Sequence, residues 1–190
     1  MENIFLISGK AQHGKDSVAD ILMKKLDGKS IKISLADNLK YILKKYYGWN
    51  GEKDEDGRRL LQEIGTDKIR EEFGWQVFHA ERLCQEIKII EDRYDYIFIP
   101  DVRFKNEILY TQAMFPYNTT TIRVIRPNFE SPLNKEQQLH KSETDLDDYK
   151  FEYYIHNDLT LAELPQRIDD EVGELISRFN QEMFFRRYAG

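Results

Sequence analysis

Gly9, Gly14 and Lys15 carry the first spacing in this chain that could do chemistry. They stand in Gly9-Lys10-Ala11-Gln12-His13-Gly14-Lys15, a G-x-x-x-x-G-K run followed by Asp16 and Ser17. Backbone N–H groups in such a loop can turn inward and form a nest for phosphate oxygens. A helix beginning at the second glycine adds its unpaired N-terminal N–H groups, and the lysine adds a full positive charge. The match gains weight from its flanks: the apolar run Ile4-Phe5-Leu6-Ile7 precedes it, and Val18, Ala19, Ile21 and Leu22 follow at helical spacing. Gln12 and His13 contribute backbone to this loop. A hydroxyl directly after the lysine commonly holds magnesium. Here Asp16 takes that place and Ser17 follows, so Ser17 becomes the candidate metal ligand. A plain glycine turn with a solvated lysine is the alternative.

Other charged residues fall where strands should end. Asp101 follows Tyr96-Ile97-Phe98-Ile99-Pro100 and could reach magnesium or orient an acceptor; a helix cap is its simpler role. Arg103 could grip a phosphate with its planar fork, or serve only a surface ion pair. Arg126 opens a stretch that could deliver a cation onto a transferring group. Within that stretch His140, Ser142 and Glu143 could bridge to a nucleotide, or be merely solvated. Arg58, Arg59, Arg70 and Arg82 could together bind a second phosphate across a cleft, although a helix also needs charges on its wet face. Trp75 and Trp49 could stack on a base or pack in the core.

Positioning these groups requires strands alternating with helices. Strands are expected over 3–8, 30–34, 96–99, 119–125 and 151–156. Helices are expected over 15–26, 38–47 (with Asp37 as its cap), 58–73, 75–91, 105–115 and 160–178. Gly65 weakens the third of these helices. Residues 48–57 read as a polar loop, and 126–150 as a long charged loop of the kind that forms lids. The segment after Arg178 has no clear pattern, and no second hydrophobic core is visible. The expected fold is a three-layer α/β/α P-loop NTPase domain with a five-stranded parallel sheet. It spans 1–190 as one domain, with a helical insert at about 36–92 and a lid at about 126–150. Ligands in such sheets bind beyond the carboxyl ends of the strands. That is where Gly9–Ser17, Asp37, Asp101–Glu107, Arg126 and Asn157 fall.

Composition narrows the partners. The chain has 190 residues, 33% of them charged and 41% hydrophobic, with a net charge of −6. That charge argues against binding nucleic-acid polymers or anionic membranes through bulk electrostatics. The single Cys84 rules out an intrachain disulfide and suits a core position in a reducing compartment. No apolar run has the length of a membrane span, and the N-terminus lacks a signal peptide's basic start. A cytoplasmic protein is expected.

Several stretches together resemble the phage-type deoxynucleoside monophosphate kinases of the nucleoside monophosphate kinase superfamily. The family's G-x-x-x-x-G-K-D-[ST] matches Gly9 to Ser17, including Asp16. Its A-D-x-L-K matches Ala36, Asp37, Leu39 and Lys40. Its R-x-x-L-Q-x-x-G-T-[ED]-x-x-R matches Arg58, Leu61, Gln62, Gly65, Thr66, Asp67 and Arg70. D-V-R-F-x-N-E matches Asp101 to Phe104 with Asn106 and Glu107, R-P matches Arg126-Pro127, and H-x-S-E matches His140, Ser142 and Glu143. An Asn-Asp element matches Asn157, Asp158, Thr160 and Leu161. The likeness covers about residues 3–175, with Asn38 in place of a usual proline and Leu159 in place of a common glycine.

The resemblance implies magnesium-dependent transfer of the ATP γ-phosphate to a deoxynucleoside 5′-monophosphate. ATP would lie on the loop and Lys15, with Ser17 and Asp101 near Mg2+. Arg103 and Arg70, with Arg58, would take the acceptor phosphate. Asp37, Lys40, Gln62 and Trp75 would surround the acceptor nucleoside, with Glu107 on the same side. Arg126 and Asn157 would lie near the adenine. Small molecules are thus the expected partners, and homodimerisation is left open. Two alternatives remain: another small-molecule P-loop kinase, such as a phosphomevalonate kinase-like enzyme that can also carry G-K-D-S, or a nucleotide-binding interaction protein without turnover.

Overall fold

A computed structural model describes residues 3–188. Five strands, β1 (Asn3–Ser8), β2 (Ser30–Lys32), β3 (Tyr96–Val102), β4 (Thr119–Ile125) and β5 (Tyr153–His156), form one sheet. All pairings are parallel and the order is β2-β3-β1-β4-β5. The chain leaves β1 for the far edge, returns beside it with β3, and then crosses to its other side with β4. The carboxyl end of β1 is therefore the switch point, where a crevice opens in sheets of this kind.

Helices α1 (Lys15–Lys25), α2 (Asp37–Tyr46), α3 (Glu55–Gln62), α4 (Phe78–Ile90), α5 (Lys105–Met114), α6 (Lys135–Leu139), α7 (Lys141–Thr144) and α8 (Leu164–Tyr188) complete the described residues. The central strands are apolar because both of their faces are covered. Phe5 and Ile7 point into one layer, packing with Val18, Ala19 and Leu22 of α1 and Ile168 and Leu175 of α8. Ile4 and Leu6 point into the other, with Leu83 and Ile87 of α4 and Ile108 of α5. The result is the expected three-layer α/β/α fold with a five-stranded parallel sheet. No helix of the described residues is long and apolar enough to cross a membrane.

The departures from expectation have local causes. Strand β2 stops at Lys32 because, after Ile33 N donates to Phe98 O, the chain turns away to bond with Asp101. Strand β5 starts late because the Glu152 side chain, and not the ladder, satisfies Thr121 N. The helix expected over 58–73 becomes α3 followed by a π-helical stretch, Glu63–Glu72. A Cβ on Gly65 would lie 2.5 Å from Leu39 Cδ2, so this glycine lets α2 press onto the π-helix. Leu39, Leu43, Ile64 and Ile69 form a small core of their own there, which the sequence did not reveal. Residues 126–150 contain α6 and α7, pinned by buried Leu133 and Leu146. The unassigned stretch after Arg178 continues α8 past a kink at Val172 (φ −134°). Phe179 and Met183 bury there, and Asn180 binds Asp27 N and Lys25 O at the end of α1.

Candidate active site

The loop after β1 is held open by backbone geometry. A Cβ on Gly9 would sit 2.6 Å from Val124 O, so only glycine fits against β4. Gln12 (φ 58°) and Gly14 (φ 89°) are left-handed, which turns the loop's N–H groups to one side. Asn157, just beyond β5, donates from Nδ2 to His13 O at 3.0 Å and braces the loop from outside. Helix α1 begins with no side-chain cap, so its first-turn N–H groups remain available to an anion. Lys15 curls back beneath the loop, and its Nζ donates to Gly9 O and Lys10 O, each at 2.8 Å. Burial, with the Arg103 charge nearby, pushes its pKa down to about 7. Asp16 is exposed, 3.6 Å from Lys32 Nζ, and Ser17 is half-buried in the same turn.

Asp101 lies inside β3, and not after it as the sequence suggested. Its Oδ1 accepts from Leu35 N at 2.9 Å, and its Oδ2 accepts from Ser34 Oγ and Ala36 N. The carboxylate thus fixes the turn that starts α2. From that helix Lys40 reaches Asp37 Oδ1 at 2.8 Å and Ser34 Oγ at 3.1 Å. Glu107 is buried in the first turn of α5. Its Oε2 accepts from Arg103 N at 2.8 Å and Phe104 N at 3.0 Å, and its Oε1 pairs with Arg70. Burial pushes the Glu107 carboxyl up, while Arg70 and the two N–H donors hold it down. Arg70 is only 2% exposed. It also bonds Gln76 O and lies 4.1 Å from the Phe104 ring centroid.

These elements enclose a cleft of about 430 Å³. Ala11 and Asp16 line one end. Asp37, Lys40, Arg58, Gln62, Arg70, Asp101, Arg103, Glu107, Ser142 and Glu143 line it too, so these expected residues share it with Asp16. Arg70 serves the wall more than the space: its guanidinium is engaged by Glu107 and Gln76, which leaves Arg103 and Arg58 with more capacity for a ligand. Arg58 bonds only Lys53 O, through Nε, among the described residues. Trp75 does not reach the cleft. It is 54% exposed and packs between Phe73 and Phe78, because the turn at Gly74 (φ 70°) carries it to the outer face of the insert.

Arg126 and Asn157 gather on the outer side of the loop. Arg126 Nη1 lies 3.4 Å from Gln12 O, its N–H donates to His13 Nδ1 at 3.2 Å, and its guanidinium lies 4.2 Å from the Phe129 ring centroid. Burial lowers the His13 pKa.

Sequence reasoning missed Lys32, Ser34, Lys53 and His79, all of which line the cleft. His79 Nε2 lies 3.3 Å from Gly65 O, and burial, with Arg70 nearby, pushes its pKa down to about 4. No sequence signal marks it, since the pairing depends on the π-helical turn. Glu143 also lines the cleft. Its H-x-S-E setting was visible, but its partners were not.

A sequence model of the family described as deoxynucleotide monophosphate kinase matches residues 49–168. The chain is 30% identical over 163 residues to the uncharacterized protein ORF77 of Ictalurid herpesvirus 1 (strain Auburn), covering 85% of this chain and 66% of that one. It is 31% identical over 111 residues to the deoxynucleotide monophosphate kinase of Enterobacteria phage T4, covering 58% and 43%. It is 28% identical over 142 residues to the phosphomevalonate kinase of Drosophila melanogaster, covering 69% and 72%. The chain thus spans just under two thirds of the herpesvirus protein and less than half of the phage enzyme. A sugar kinase from Janibacter sp. HTCC2649 shares the fold, with a TM-score of 0.55 at 10% identity over 91% of this chain and 95% of that chain. A family match over more than half of the residues, running from before α3 through the Asp101–Glu107 element and residues 126–150 to the start of α8, makes the chain a member of the deoxynucleotide monophosphate kinase family.

Proposed function

We propose that the chain transfers the γ-phosphate of ATP to a deoxynucleoside 5′-monophosphate, giving the diphosphate and ADP. The observation that carries this reading is the single cleft that joins the phosphate loop, at Ala11 and Asp16, to Arg103, Arg58 and Gln62 on the facing elements. A cleft of about 430 Å³ that opens beside the loop and is lined by these arginines would suit an acceptor held in line with a donor on the loop. Such transfer needs positioning and charge neutralisation more than covalent chemistry by the protein. An acceptor phosphate oxygen bonds to the γ-phosphorus as its bond to the β–γ bridging oxygen breaks, and the electron pair leaves on ADP.

The residue roles follow from chemistry. Lys15 would exchange its carbonyl partners for the β- and γ-phosphates. Arg103 and Arg58 would hold the acceptor phosphate, with Arg70 and Glu107 fixing the wall behind them. Asp37, Lys40 and Gln62 would meet the acceptor nucleoside, and Arg126 and Asn157 the donor's base. The insert over about 36–92 and the lid over about 126–150 would close on the two substrates. Magnesium keeps several waters and takes one or two carboxylates with the phosphates. Ser17, half-buried in the first turn of α1, would offer its hydroxyl to such an ion. Asp101 fits it through water, since both of its oxygens already accept hydrogen bonds. When bound, the ion neutralises charge on the transferred group.

A panel assay tests this reading: ADP release from ATP and magnesium, with each of the four dNMPs, the ribonucleotides and phosphomevalonate as acceptors. The proposal expects turnover with at least one dNMP. Turnover with phosphomevalonate alone would move the chain to a second reading, which the Drosophila relative favours.

A further inference from the structure

We propose that Glu143 is a positioning residue that holds Arg103 at the transfer site. The proposal rests on the reading of the cleft as a phosphoryl-transfer site. Glu143 reaches the cleft from α7, and its side chain is 8% exposed. Its Oε1 accepts from Arg103 Nη1 at 2.6 Å and its Oε2 accepts from Ala11 N at 3.1 Å. One carboxylate therefore ties the lid, the phosphate loop and the cleft arginine together. Arg103 is held at both ends: Glu107 fixes its backbone N–H, and Glu143 fixes one arm of its guanidinium. The remaining guanidinium N–H groups have no partner among the described residues and are left for an acceptor oxyanion. A long arginine side chain loses much rotamer freedom on binding, so an anchor of this kind preorganises it.

Contacts on either side seat the segment that carries Glu143. His140 Nδ1 accepts from Ser142 N at 3.2 Å and shapes the turn that starts α7. His140 Nε2 lies 3.3 Å from Asp67 Oδ1 on the insert, and Lys141 Nζ lies 3.7 Å from Glu71. Asp147 grips the loop side through Lys10 at 2.8 Å and Arg123 at 3.2 Å. Lys105 N donates to Asp145 Oδ2 at 2.8 Å and Leu146 is buried in the core beneath the sheet, so Glu143 is seated on the scaffold beside Arg103. This gives the H-x-S-E stretch a role: its histidine and serine shape the arm, and its glutamate does the holding.

The test is a double-mutant cycle in dNMP-dependent transfer, using the full chain as wild type, E143A, R103A and R103A/E143A. E143A should lower kcat by about 10- to 100-fold, the scale expected when a reacting group is misplaced. Its KM for ATP should stay within about threefold, a split set by positioning and not by binding. In the R103A background E143A should have a much smaller effect, confined to the lost bond to Ala11 N. E143Q keeps one acceptor oxygen and should fall between wild type and E143A. If E143A does not fold, E143Q with a wild-type unfolding midpoint carries the same cycle. Equal losses in both backgrounds, an unchanged kcat in the folded variant, or faster transfer with tighter ATP binding would each overturn the proposal. The last of these would make Glu143 a competitor for the phosphate site. Absence of transfer by the wild type would overturn the kinase reading, and this proposal with it.

Discussion

ATP binding at pH 8 should draw most of one proton onto Lys15. The Lys15 amine is 8% exposed, and burial, with Arg103 nearby, pushes its pKa down to about 7. At one unit above that value roughly nine amines in ten are neutral, and a neutral amine still has hydrogens for Gly9 O and Lys10 O. Phosphate charge at the loop favours the ammonium and returns the group toward its ordinary range. Binding at pH 8 should therefore take up roughly 0.9 proton per nucleotide. Titration calorimetry in buffers of different ionisation enthalpy reads this as a slope of observed heat against buffer enthalpy. Lys15→Arg, charged throughout, should bind with no such slope. Heats independent of buffer in the wild type, or an unchanged slope in K15R, would refute the argument. Stability should carry the same signature. The unfolded lysine titrates near 10.5 and the folded one near 7, so the unfolded chain binds more protons between those values. The unfavourable contribution of Lys15 is therefore complete below pH 7 and fades as pH rises toward 10.5. Lys15→Met should gain stability over wild type at neutral pH, and the difference should shrink in alkaline denaturation curves.

Three further substitutions probe the scaffold. Gly14→Ala places a Cβ 2.4 Å from Asn157 Nδ2 at φ 89°, so ATP affinity should fall at least tenfold by calorimetry, and N157A should not restore it because the strained φ remains. Arg70→Met leaves Glu107 buried without its cation, and urea unfolding should show a loss of about 3–5 kcal/mol, partly recovered in R70M/E107Q. His79 titrates near 4 when folded and near 6.5 when unfolded, so the unfolded state binds more protons between those values. Thermal midpoints should fall as pH drops from 6.5 to 4, and His79→Gln should flatten that slope.

The sheet and the loop after β1 were legible because their signals are local. An apolar run, two glycines and a lysine at fixed spacing fix β1, the loop and α1 within twenty residues of chain. Asp101 and Arg103 were found for the same reason, although the bonds that tie Asp101 to Ser34, Leu35 and Ala36 join residues far apart in sequence. The facing wall was less legible. The insert's turns are set by a π-helix, and helical periodicity does not register a change from four to five residues per hydrogen bond. That change places Gly65 O beside His79, and the turn that follows swings Trp75 outward. Arg70 looked like a free cation because the sequence does not show that Glu107 is buried against it. Glu143 was one acid in a charged stretch until the fold set it beside Ala11 and Arg103.

The proposed reaction is transfer from one nucleotide to another within this cleft. Incubating the protein with γ-labelled ATP, magnesium and a dNMP, then separating the products, tests it most directly. Label is expected in a deoxynucleoside diphosphate, formed one for one with ADP and absent with Lys15→Met. Label released as free phosphate at the same rate with and without any dNMP would contradict it.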